Sequence, residues 1–163
     1  MRPKIYPPDE LIELLRERRR DGAAEKIERL VFTNGCFDLL HVGHVRYLWE
    51  ARRLGDALVV AINDDDSVRR LKGDGRPILR LEERLEVMAG LACVDFVTWF
   101  AEDTPIPLLE RMRPEVLVKG GTYGVEGVVG REEALAWGAD VRVLSVAQGR
   151  STTELIAKIR SAT

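Results

Sequence analysis

Cysteine and histidine are scarce in this sequence: Cys36 and Cys93 are its only thiols, and His41 and His44 its only imidazoles, in 163 residues. Two cysteines cannot build a disulfide framework, and with Cys93 far from the others a zinc site lacks ligands. Long apolar runs are missing as well. None approaches the roughly 20 residues that a membrane-spanning helix needs. Behind Arg2 and Lys4 comes Ile5-Tyr6-Pro7-Pro8 rather than an apolar core, so no signal peptide is expected and a cytoplasmic location is. Nor does one sign of charge dominate. The 25 Lys and Arg against 27 Asp and Glu leave a net charge of -2, which argues against nucleic acid or an anionic membrane as the partner. Two common phosphate-binding patterns, G-x-x-x-x-G-K-[ST] and G-x-G-x-x-G, are absent, which excludes a P-loop NTPase and a dinucleotide-binding Rossmann protein. There is no internal repeat and no low-complexity tract.

What is present is an ordinary core composition, 45% apolar, arranged as alternating short elements. Residues 30–32, 57–62, 94–99, 116–118 and 141–146 are short and rich in Val, Ile and Leu, as strands covered on both faces are. Helical patterns fall between them, at about 44–54, 81–92, 104–112 and 131–137. Thr104-Pro105 reads as a cap followed by proline in the first turn, and Ser151-Thr152-Thr153-Glu154 as a capping box opening a last helix. This alternation predicts an α/β fold: a Rossmann-like open parallel sheet of five strands with helices on both faces. Before it, Asp9 to about Arg19 reads as a helix with Leu11, Leu14 and Leu15 on one side and a solvated run of arginines at its end. The expected division is an N-terminal helical extension over 1–29 and one domain over 30–163.

The most informative stretch joins the first strand to the next helix: Phe32-Thr33-Asn34-Gly35-Cys36-Phe37-Asp38-Leu39-Leu40-His41-Val42-Gly43-His44. Both histidines of the chain sit here, separated by two residues. Three chemistries suit them. A metal site is short of partners. A thiol nucleophile would use Cys36, although its apolar setting suits a small buried residue. An anion site would use the positive end of the following helix, with Gly43 allowing close approach and two imidazoles donating to phosphate oxygens. Two glycine-rich loops follow other strands and fall on the same sheet edge. One carries Lys72 and Arg76, the other begins with Lys119-Gly120-Gly121. Their cations could neutralise phosphate charge. Ser151, Thr152 and Thr153 add hydroxyls at a second helix start.

Residues 34–44 resemble the G-x-F-D-x-x-H-x-G-H signature of the cytidylyltransferase-like nucleotidyltransferases. Thr33-Asn34-Gly35, Leu71-Lys72-Gly73-Asp74 with Arg76-Pro77, Glu102-Asp103-Thr104-Pro105, Val118-Lys119-Gly120-Gly121 with Tyr123, and Ser151-Thr152-Thr153 are similar, more narrowly, to the heptose 1-phosphate adenylyltransferases. Those enzymes convert D-glycero-β-D-manno-heptose 1-phosphate and ATP to an ADP-heptose. The module often forms the C-terminal half of a protein with a sugar kinase, and this chain resembles a stand-alone form. The resemblance implies that His41, His44 and Lys72 are catalytic. It implies that Thr33, Asn34, Gly35, Phe37, Gly43, Lys119, Gly120, Gly121, Ser151, Thr152 and Thr153 bind the nucleotide. Asp38, Asn63, Asp65, Arg76 and Tyr123 would meet the substrate. Magnesium would be held mainly by the phosphates of ATP, with no dedicated protein ligands, and the partner would be a second copy in a homodimer. Thr122 stands where family members carry an acidic residue. The histidine signature is shared with glycerol-3-phosphate cytidylyltransferases and FAD synthetases, and a nucleotide-binding module without catalysis would also keep part of it.

Overall fold

The structure is a computed structural model that describes residues 4–121, 124–144 and 152–161. Five parallel strands form one sheet: β1 (Leu30–Gly35), β2 (Ala57–Asn63), β3 (Phe96–Phe100), β4 (Val116–Gly120) and β5 (Asp140–Leu144), in the order β3-β2-β1-β4-β5. Side chains alternate across each strand. Leu30 and Phe32 of β1 face one layer, built by α1 (Pro8–Arg18), α5 (Ile106–Met112) and α6 (Arg131–Ala136). Val31 faces the other, built by α2 (Val42–Arg52) and α4 (Leu81–Ala89). Aliphatic side chains fill both layers together with aromatic ones, Phe32, Phe96 and Phe100 in the first and Phe37 and Tyr47 in the second. The α/β expectation of five parallel strands with helices on both faces is met. Among the described residues no helix is long and apolar enough to cross a membrane.

Several boundaries differ from the sequence reading. β1 runs on through Thr33-Asn34-Gly35, because these residues pair with Val60, Ala61 and Ile62 of β2. A helix absent from that reading, α3 (Asp65–Lys72), follows β2. Only Ser67 and Val68 of it are buried, so it shows no apolar stripe. Polar contacts hold it instead: Ser67 N donates to the Asp64 cap at 2.7 Å, and Ser67 Oγ to Glu102 O at 3.0 Å. Helix α5 begins at Ile106, and no side chain caps it, so Thr104 does not act as the cap. The arginine run at the end of α1 is not simply solvated. Arg19 donates to the carbonyls of Met112 and Arg113 at the end of α5 (2.8 and 3.0 Å), and Arg18 lies 5.3 Å from the centre of the Phe96 ring. Leu11, Ile12 and Leu15 of α1 join the main core, and Ile5 bridges to Val97 beside β3.

The sheet order decides where a ligand can sit. From β1 the chain steps outward to β2 and β3, then returns to the other side of β1 to lay down β4. The crevice between the carboxyl ends of β1 and β4 is therefore the switch point at which open α/β sheets bind ligands. A last helix, α7 (Thr152–Ser161), starts near it, with Thr152 Oγ1 donating to Leu39 O at 3.1 Å.

Candidate active site

The loop leaving β1 is shaped by Gly35 and Phe37. Phe37 has φ 45°, a left-handed backbone that costs a non-glycine residue roughly 1–2 kcal/mol. Its ring is buried and reaches back over Gly35, where an added Cβ would lie 3.1 Å from Phe37 Cε2. The same ring meets His44 edge-on, with centroids 5.4 Å apart.

The two histidines build the start of α2. His41 is its N-cap and His44 its third residue. Gly43 N donates to His41 Nδ1 at 3.1 Å, and His41 N to His44 Nδ1 at 3.4 Å. The rings stack at 4.0 Å. Each Nδ1 thus accepts, which assigns the proton of the neutral ring to Nε2. Burial, and then the neighbouring His41, lower the His44 pKa to about 4, so His44 is a neutral donor at physiological pH. The sequence reading expected free helix amides to hold an anion. Gly43 N is already engaged by His41, and the imidazoles themselves are the donors offered at this helix end.

Cations gather round the same loop. Lys119, near the end of β4, crosses the switch point and donates to Asn34 O at 3.0 Å and to Asn34 Oδ1 at 2.9 Å. Burial lowers its pKa to about 8. Arg76 Nε reaches the buried Asp38 carboxylate at 2.5 Å, which also accepts Ile78 N and Leu79 N at 2.8 and 3.0 Å. Asp38 therefore folds the 76–79 loop against the signature segment. Lys72 ends α3 and is exposed. Lys72, Arg84, Arg76 and Lys119 all draw the Cys36 thiol down, yet burial outweighs them and pushes it up. The thiol is protonated at neutral pH, which removes the nucleophile reading.

Arg84 escaped sequence reasoning. It is fully buried and donates to Cys36 O (2.7 Å), Asn63 O (2.8 Å), Leu79 O (3.1 Å) and Asp65 Oδ1 (2.7 Å). One guanidinium ties together the loop after β1, the end of β2, the start of α3 and the loop before α4. The available signal was a cation set beside Leu81, Leu85 and Met88 on the inward side of a helix. This geometry also redirects two expected substrate contacts. Asp65 holds Arg84, and Asn63 Nδ2 donates to Ser67 Oγ at 2.9 Å. Thr33 is fully buried: its hydroxyl meets Tyr47 inside the α2 layer, and its backbone pairs with Val60 and Val118. Gly120 pairs with Leu144 of β5, and Gly121 N donates to Leu144 O at 3.1 Å, so both are tied to β5 at the carboxyl end of β4. Thr153 lies in the first turn of α7. Thr122, Tyr123 and Ser151 fall outside the described residues. Among the described residues no group of three or more His, Cys, Asp or Glu could hold a metal ion.

The switch-point crevice of this Rossmann-like sheet thus carries a stacked histidine pair at a helix start, with Lys119 tied to Asn34 across it. The chain belongs to the cytidylyltransferase-like family, whose sequence model matches residues 32–155; it is thus a nucleotidyltransferase by family. The bifunctional protein HldE of Pseudomonas aeruginosa is 54% identical over 152 residues, covering 93% of this chain and 31% of that protein. HldE of Geobacter sulfurreducens is 56% identical over 142 residues, covering 86% of this chain and 29% of its own length. The chain spans under a third of these curated relatives. Among solved structures, a lipopolysaccharide core biosynthesis protein from Thermoplasma volcanium superposes with TM-score 0.61 at 25% identity, over 75% of this chain and 98% of that one. A pantoate-beta-alanine ligase from Francisella tularensis reaches the same TM-score, 0.61, at 14% identity, over 92% of this chain and 69% of the ligase, which is a likeness of fold.

Proposed function

We propose that this chain transfers AMP from ATP to D-glycero-β-D-manno-heptose 1-phosphate, releasing pyrophosphate and an ADP-heptose for surface-glycan synthesis. The observation that carries it is the His41–His44 stack at the start of α2, beside the Lys119–Asn34 tie across the switch point. The narrower motifs and the HldE relatives support the heptose acceptor. A phosphate oxygen of the sugar attacks the α-phosphorus of ATP in line. The bond from that phosphorus to the β-phosphate oxygen breaks, and pyrophosphate leaves with the electron pair. No side chain forms a covalent bond. His41 and His44 donate from Nε2 to phosphate oxygens as charge builds, and Lys72, Arg76 and Lys119 neutralise the triphosphate. Magnesium enters with ATP, held mainly by its phosphates. The working form is a cytoplasmic homodimer.

Pyrophosphate release tests this directly. ATP with the heptose 1-phosphate turns over, and CTP with glycerol 3-phosphate does not. The reverse result would refute the assignment. Lys119 supplies a second test. With its folded pKa near 8, the empty site loses this charge as pH rises above 8, while a bound triphosphate favours the charged form. The KM for ATP therefore rises above pH 8, by up to about tenfold per unit. In Lys119→Arg the dependence disappears, because guanidinium stays charged. A flat wild-type profile from pH 7 to 10 would exclude Lys119 from nucleotide binding.

A further inference from the structure

Among the described residues Asp64 and Glu102, beyond the ends of β2 and β3, each use one carboxylate oxygen, on Ser67 N and Ala101 N, and keep the second for an acceptor hydroxyl. We propose that a cavity beyond the carboxyl ends of β2 and β3 receives the polyhydroxyl part of the acceptor, a sugar longer than three carbons. This rests on the adenylyl-transfer reading above. The cavity measures about 370 Å³, and Asp64, Leu81, Trp99, Glu102 and Arg111 help to line it. That volume lies within the range of small-ligand sites.

Its position follows from strand register. Gly35 pairs with Ile62, and Ile62 with Trp99, so the three stand in one row across the sheet. At about 4.8 Å between neighbouring strands, Trp99 lies about 10 Å from the signature loop. A six- or seven-carbon sugar phosphate spans such a gap, whereas a glycerol phosphate falls short. The charge pattern suits the same orientation. Asp9, Asp64 and Glu102 line the cavity against the single cation Arg111, which Asp9 already pairs at 2.5 Å. Carboxylates accept hydrogen bonds from sugar hydroxyls and repel phosphate. The phosphate is drawn to the opposite end, where Arg76 meets Asp38 and Lys119 meets Asn34 on the signature segment. Trp99 adds an aromatic surface for the ring. Among the described residues its indole N–H has no acceptor, whereas Trp137 Nε1 donates to Pro114 O at 3.0 Å. The proposal also gives a use to the Glu102-Asp103 stretch, and one to the start of α1, since Pro8 and Asp9 form part of the wall.

Glu102→Gln and Trp99→Leu test it. Glu102 is exposed and its replacement nearly isosteric, so the fold is kept even if Trp99→Leu loosens it. Both variants are expected to raise the KM for heptose 1-phosphate at least fivefold, with kcat and the KM for ATP within twofold of wild type. Acceptor KM values within twofold of wild type in both variants would overturn the subsite while leaving the reaction in place. An equal rise in the KM for ATP would overturn it too, since that marks a general loss of structure. Wild-type protein that releases pyrophosphate only with a three-carbon acceptor would overturn both the subsite and the heptose reading.

Discussion

His44→Ala lowers kcat by two to three orders of magnitude and leaves the fold intact. The ring is neutral, with a pKa near 4, and its Nδ1 is taken by the His41 amide. Its contribution is then one oriented N–H, aimed through Nε2 at charge that appears in the transition state. Removing a single preorganised donor of that kind costs about 10²–10³ in kcat. His41 differs because it also caps α2. Alanine there removes both the donor and the cap, and cap loss costs about 1 kcal/mol of stability. Asparagine restores a cap but not the imidazole. His41→Asn is therefore expected to match wild type in thermal melting and to match His41→Ala in lost turnover. Steady-state pyrophosphate assays beside melting curves separate the two roles. If His41→Asn recovers turnover, the ring of His41 acts only through the helix start.

Arg84→Met destabilises the protein by about 3–5 kcal/mol, because each buried acceptor left without its donor costs about 1–3 kcal/mol. The side chain is 1% exposed, and its loss strands three carbonyls, those of Cys36, Asn63 and Leu79, together with the Asp65 carboxylate. For a chain of this size the loss lowers the melting temperature by roughly 10 °C. Lysine does not rescue it, because a single ammonium cannot replace a planar fork with several donors. The double variant Arg84→Met/Asp65→Leu recovers part of the loss, since the unpaired carboxylate goes with its partner. A melting temperature within 2 °C of wild type for Arg84→Met would show that the loops hold their places without it.

Legibility from sequence followed the range of the forces involved. Elements with a strong apolar period, such as β2 and α4, were visible because their own residues carry the signal. Helix α3 was not, because its hold comes from Asp64, Glu102 and Arg70–Asp103 rather than from an apolar stripe. Thr33-Asn34-Gly35 lay beyond the strand read at 30–32, yet β2 supplies the partners that make it strand. Asn63 ends β2 and Asp65 opens α3 just beyond it. Their side chains turn to Ser67 and Arg84, a choice made by neighbours 4 and 19 residues away.

The sequence by itself determined the chemistry at the strand-to-helix junction: two imidazoles, a glycine between them and a helix to carry them. These features are local, and spacing along the chain expresses them fully. Only the tertiary structure decided that β4 lies beside β1 and brings Lys119 onto Asn34, with Arg84 locking four segments round the same point. A parallel crossover can set its strand on either side of the sheet, and the local pattern is the same in both cases. The choice is settled by burial and hydrogen bonding between residues far apart in the chain.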